Sequence, residues 1–175
     1  MSNNRLKVII SLVIIVIFIG LCQVANKYFQ RTVYPRDFNE YVEKYSSEFS
    51  VPEYVIYSVI KVESDFDKDA ESEKGACGLM QLMPETYQWL TEIKNEKAGD
   101  ILDPEENIKY GTYYLSMLYE KYQSWTYTFC AYNAGTGNVD KWLKEEPFEI
   151  QFLETKYYVN KLEVVTDKYL SLYYR

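Results

Sequence analysis

The stretch YSVIKVESDF, residues 57–66, ends an apolar run on an acid. At helical spacing Ile56, Val59, Ile60 and Glu63 fall on one face. A free carboxylate is costly to bury, so a carboxyl group on that face is paired, hydrogen-bonded or holds its proton unusually tightly. A carboxyl group whose pKa is raised towards neutrality can act as a general acid. An exposed glutamate at a helix end would show the same spacing, and at this point both readings of Glu63 stand.

Other chemistries have weaker support. The chain contains no histidine and no C-x-x-C pair, which argues against zinc. Asp65, Asp67 and Asp69 alternate as in a calcium loop. That pattern needs glycine at 70 and glutamate at 76, where the chain has Ala70 and Ala76. The run reads as a solvated loop, and no metal or other cofactor is expected. Cys22 lies in an apolar segment, which leaves Cys77 and Cys130. These read as two independent small core residues, with a disulfide as the alternative in an oxidising compartment.

The elements that must position Glu63 follow from composition and periodicity. From Val8 to Ala25 there is no charged side chain. The run exceeds a signal-peptide apolar core of about 7–15 residues and approaches the roughly 17–25 needed to cross a bilayer. No convincing small-residue cleavage site follows, so residues 1–33 are expected to be a short tail and an uncleaved anchor. Arg5 and Lys7 precede the apolar run, and Lys27, Arg31 and Arg36 follow it, so flanking charge barely sets orientation. The expectation is a single pass with the body, residues 34–175, on the outer side.

Residues 1–33 hold four of the 19 basic residues and none of the 26 acidic ones, leaving the body 15 against 26, a net −11. Such a body is not expected to bind nucleic acid or anionic lipid. Its ~140 residues suit one domain.

Within the body every periodic stretch is helical. Phe38, Tyr41, Val42, Tyr45 and Phe49 form a first stripe, and Ser50-Val51-Pro52-Glu53 reads as an N-cap box for the helix ending near Glu63. Pro84-Glu85-Thr86 opens another helix, with Tyr87, Leu90 and Ile93 inward. Asp103-Pro104-Glu105-Glu106 caps a long one carrying Ile108, Gly111, Leu115, Leu118 and Tyr122. A shorter helix runs from about Trp125 to Asn133 and stops at Gly135; the last carries Tyr158, Leu162, Val165, Tyr169 and Leu172. Most of the 19 tyrosines occupy such stripes and read as core with a polar tip. No segment alternates as a strand does, so the fold class is all-α or nearly so. Gly75, Gly78, Gly135 and Gly137 sit in GACGLMQ and NAGTG, two turns shaped for close backbone approach or for ending a helix.

Four stretches occur in order: VESDF (62–66), SEKGACGLMQLMPET (72–86), AYNAGTGNV (131–139) and ETKYYV (154–159). Together they resemble the catalytic domain of the soluble lytic transglycosylases, which is similar to goose-type lysozyme. The resemblance runs from about Tyr34 to the C-terminus. It implies a lysozyme-like, mostly helical fold that binds peptidoglycan glycan strands and cleaves the MurNAc–GlcNAc β-1,4 bond, leaving a 1,6-anhydro sugar. It makes Glu63 the acid and then the base, with the substrate's acetamido group assisting. By the same resemblance Ser72 hydrogen-bonds near the acid, and Met80, Gln81 and Met83 floor the sugar groove. Thr86 lies at its edge, Tyr132 and Asn133 form the opposite wall, and Glu154 and Tyr158 belong to the closing segment. Cys77 and Cys130 depart from the small or apolar residues the pattern leads one to expect. No protein partner is implied.

Two rival functions remain at this stage. A hydrolytic muramidase of the same fold would need a second carboxylate, for which Asp65 is the near candidate in sequence. A non-catalytic peptidoglycan-binding envelope protein would not need Glu63 at all.

Overall fold

The computed structural model describes residues 3–175, with side chains from Lys7 onward. Met1 and Ser2 of the expected tail, and the Arg5 side chain, lie outside the described residues. Contacts divide the chain after Pro35. The first unit is one helix, α1, Asn3–Val33. Its stretch Lys7–Val33 is long and apolar enough to cross a membrane.

The body, Arg36–Arg175, is built on a helix that intrinsic propensity would not favour. In α3, Glu53–Glu63, Val55, Ile56, Val59 and Ile60 are all β-branched, yet each is fully buried. With Tyr57 and Ser58 also buried, α3 is enclosed on every side, so tertiary packing is what sustains it. Its neighbours are α2, Asn39–Phe49, and α8, Leu153–Tyr169. Around them lie α4, Pro84–Ile93; α5, Pro104–Tyr122; and α6, Trp125–Ala134. The chain then forms α7, Thr136–Trp142, and after α8 a π-helical turn, Leu170–Tyr174. Among the described residues there is no strand, only the isolated bridges Glu71–Cys77 and Cys77–Leu82 in the loop between α3 and α4. The nearly all-α expectation holds.

Asp103 caps α5 as expected, accepting from the amides of Glu105 and Glu106. Ser50 is not an N-cap. It terminates α2 in the left-handed region, φ 56°, and donates its own N–H to Ser46 O, while Pro52 occupies the cap of α3 without a side-chain bond. Phe38 likewise lies outside the helical turns, capping α2 at φ 60°. Ile93 faces solvent rather than the core. The NAGTG turn is a junction: Gly135, at φ 82°, ends α6 and at once starts α7, a helix the apolar pattern did not signal. Cys77 and Cys130 are both free thiols.

The α3–α4 loop is fixed by a buried amide. Asn107, in the first turns of α5, accepts the Met80 N–H (2.7 Å) and donates to the carbonyls of Cys77 (2.9 Å) and Ile101 (2.8 Å). The fit leaves no room at Gly78: a Cβ there would lie 2.4 Å from Asn107 Nδ2, and the residue sits at φ +76°. Met80 in turn is fully buried against Gly111 of α5, where a Cβ would stand 2.4 Å from the Met80 sulfur.

Candidate active site

Glu63 is the last residue of α3. The helix stops there because the following residues leave helical geometry: Asp65 and Phe66 adopt φ 54° and 68°. Ser64 anchors the end by donating its hydroxyl to Leu79 O (2.8 Å) in the α3–α4 loop. The Glu63 side chain therefore points from a rigid core helix towards a loop held by Asn107, which is sound support for a reacting group.

Tyr158 of α8 donates its hydroxyl to Glu63 Oε1 at 2.6 Å. Burial pushes the Glu63 carboxyl up to about 7; the Tyr158 hydrogen bond and the positive charge of Lys161 oppose the rise without cancelling it. Near neutral pH this group exists in both protonation states, so it can give a proton and take one back. Tyr132 and Tyr158 are themselves pushed well above the usual tyrosine range, first by burial and then by the nearby Glu63 charge, and so remain hydroxyl donors. Tyr132 uses its hydroxyl on Met80 O (2.8 Å), joining α6 to the loop.

Glu63 and Tyr132 open on a cleft of about 400 Å³. Glu63, Ser72, Gln81, Met83, Tyr132, Asn133 and Glu154 all line it. Ser72 does not bond the acid. Its Oγ accepts the Ala76 N–H (2.9 Å) and so shapes the turn that forms the cleft rim. Gln81, at φ 49°, donates to Gly78 O (2.9 Å) and Ala70 O (3.1 Å). Asn133 accepts from the buried Thr155 hydroxyl (2.8 Å), which ties α6 to α8 beneath the wall. Glu154 is exposed and lies 3.7 Å from Lys74.

Three expected site residues are not in the lining: Tyr158, which reaches the cleft only through its bond to Glu63, and Met80 and Thr86, which fall elsewhere. The Met80 side chain is sealed in the core, so it backs the cleft through its carbonyl instead of flooring it. Thr86, half-buried in the first turn of α4, is outside the lining. Asp65, the near candidate for a second carboxylate, is not in the cleft either; it is exposed and pairs with Lys61. The Asp67–Asp69 run is occupied by its own contacts, an Asp69 N–H to Asp67 bond (3.0 Å) and a Lys68–Asp69 pair.

Sequence reasoning missed Glu73, Lys74 and Ala76 in the cleft, Lys161 beside the acid, and Asn107 behind the loop. Only Asn107 carried a signal. Asn107, Gly111 and Leu115 share a helical face, and an amide on an otherwise apolar face asks for buried partners.

Comparison with known proteins gives a consistent result. The family described as "Transglycosylase SLT domain" matches residues 40–153. The soluble lytic murein transglycosylase of Escherichia coli K12 is 31% identical over 143 residues, covering 74% of this chain and 22% of that protein. The membrane-bound lytic murein transglycosylase C of Actinobacillus succinogenes is 26% identical over 149 residues, 78% of this chain and 41% of the relative. The crystal structure of the 70 kDa soluble lytic transglycosylase of Escherichia coli superposes with a TM-score of 0.76 at 28% identity, over 81% of this chain and 25% of that one. The chain thus spans about a quarter of the length of the soluble relatives it matches.

Proposed function

This chain belongs to the transglycosylase SLT domain family, and from that premise we propose that it is a peptidoglycan lytic transglycosylase cleaving the MurNAc–GlcNAc β-1,4 bond. The observation that carries the reading is one carboxyl group, Glu63, held in a cleft at a pKa of about 7 with a hydroxyl donor on it.

Protonated Glu63 gives its proton to the glycosidic oxygen as the C1–O bond breaks. The neighbouring acetamido oxygen shares the positive charge at C1. Glu63, now a carboxylate, takes the proton of the C6 hydroxyl, and O6 closes on C1 to give a 1,6-anhydroMurNAc end. Glu63 is protonated again and no water is consumed. Ser72, Gln81, Met83, Tyr132, Asn133 and Glu154 would bind the sugars, with Tyr158 orienting the acid. Residues 34–175 form the catalytic domain in this reading. The segment 1–33 anchors it in the cell membrane by a single pass, which the long apolar α1 and the similarity to a membrane-bound relative support; the domain is placed on the wall side because the proposed substrate lies there.

A hydrolase of the same fold would need a carboxylate to activate water, and two other acids, Glu73 and Glu154, do line the cleft. The product separates the readings. Digested peptidoglycan is resolved into muropeptides and weighed before and after borohydride reduction. An anhydro end lacks one water in mass and resists reduction. Reducible ends of full mass would overturn the transglycosylase reading and turn attention to Glu73 and Glu154.

A further inference from the structure

We propose that Trp89 is a saccharide-stacking residue that extends the cleft along α4, so that the protein grips glycan strands longer than the cleft itself; this rests on the proposed action on glycan strands.

Three observations meet there. Trp89 is 45% exposed, on a helix whose inner face has buried Tyr87 and Leu90. A large ring left half in water forgoes much of the free energy its burial would supply, and the core beside it is already filled. Next, the ring is joined to the cleft by aromatic contacts. Trp89 packs edge to face with Tyr114 (centroids 6.3 Å, interplanar 90°), and Tyr114 packs on Tyr132 (5.4 Å), the cleft wall beside Glu63. Finally, the helix itself leads out of the cleft. Met83, 37% exposed in the lining, caps α4, and Thr86 and Trp89, neighbours at i and i+3, follow it along the helix. The exposed indole is thus separated from the cleft wall at Tyr132 by a single ring, Tyr114.

The occupant follows from this continuity. A pyranose ring has an apolar C–H face that packs on an indole and hydroxyls that stay in water at its rim, which suits a half-exposed ring. A strand already seated against Tyr132 and Met83 presents its following residues there. The same ring in an isolated patch would carry no such argument.

The test uses the full chain in detergent with soluble, uncrosslinked glycan strands and with a short fragment that fills the cleft alone. In wild type, long strands should be preferred in kcat/KM. Trp89→Ala should cut that long-over-short preference by roughly three- to tenfold, the scale of one aromatic contact, through KM and with kcat held. Trp89→Phe should restore most of it. Equal losses on both substrates, or a fall in kcat alone, would show a structural role and overturn the proposal. So would an unchanged preference in a folded Trp89→Ala protein. Failure of the wild-type chain to cleave either substrate would instead sink the proposed function beneath it.

Discussion

The Tyr158 hydroxyl rests 2.6 Å from Glu63 Oε1 although 95 residues of chain separate the two. One comes from the end of the buried helix α3 and the other from the face of α8 packed against it. The contact holds one carboxyl oxygen and leaves the other for a substrate. It also bears on proton affinity, because a hydrogen bond to the carboxylate opposes the rise that burial imposes.

Glu63→Gln should abolish clearance of purified cell walls while the fold persists, since an amide can neither donate nor recover the proton. Stability supplies the control, with its sign set by the raised pKa. The ordinary glutamate value is 4.5 and the folded one about 7, so between these the folded chain binds more protons than the unfolded. Wild-type stability must then fall as pH rises through that window. The glutamine variant escapes this loss and should exceed wild type by about 1–3 kcal/mol above pH 7. Thermal melts at pH 4.5 and 8 read the difference, and retained clearance by a folded variant would remove Glu63 from the mechanism.

Activity itself should decline with rising pH around 7, as the acid form of Glu63 is lost. Tyr158→Phe removes a bond that favours the carboxylate, so the alkaline limb of the pH–rate profile should move upward, by about one unit. Turnover should drop on the order of tenfold as the acid loses its orientation. An alkaline limb unmoved by Tyr158→Phe would mean that the hydroxyl does not tune the acid.

Asn107→Ala is expected to lower stability by about 2–4 kcal/mol, because it leaves the buried Met80 N–H and two carbonyls without their partner. Gly78→Ala should act on the same contact from the other side, driving a Cβ into Asn107 at a positive φ. Denaturant titrations of both check this. Two variants within about 0.5 kcal/mol of wild type would show that the loop does not depend on the amide.

Asp65→Asn should leave wall clearance intact, since Asp65 is exposed, pairs with Lys61 and is not in the cleft. A loss matching that of Glu63→Gln, in a variant that melts normally, would restore Asp65 as a second reacting group.

The all-helical character, the apolar N-terminal helix and the choice of Glu63 as the residue to examine were legible in the sequence, because each rests on local period. Apolar residues at helical spacing, an uncharged run from Val8 to Ala25 and an acid closing a buried stripe are written in consecutive positions. Helix ends were less legible. Ser50 and Ser124 are both serines ahead of a helix, yet Ser124 caps α6 and Ser50 ends α2, because the choice depends on the backbone that arrives there.

What only the tertiary structure decided are the relations between segments far apart in sequence. Met80 and Met83 looked alike, but Gly111 admits the first into the core, and the second is left at the cleft. Asp65 stands two residues from Glu63 and is turned away by positive φ at 65 and 66, whereas Glu73 and Glu154 reach the cleft from distant positions. The proton affinity of Glu63 has the same origin. Its sequence neighbours supply an apolar face, but desolvation by the packed helices, a hydroxyl from Tyr158 and the charge of Lys161 set its pKa. Local pattern can place a carboxyl group on a buried face; how tightly it holds its proton depends on everything folded around it.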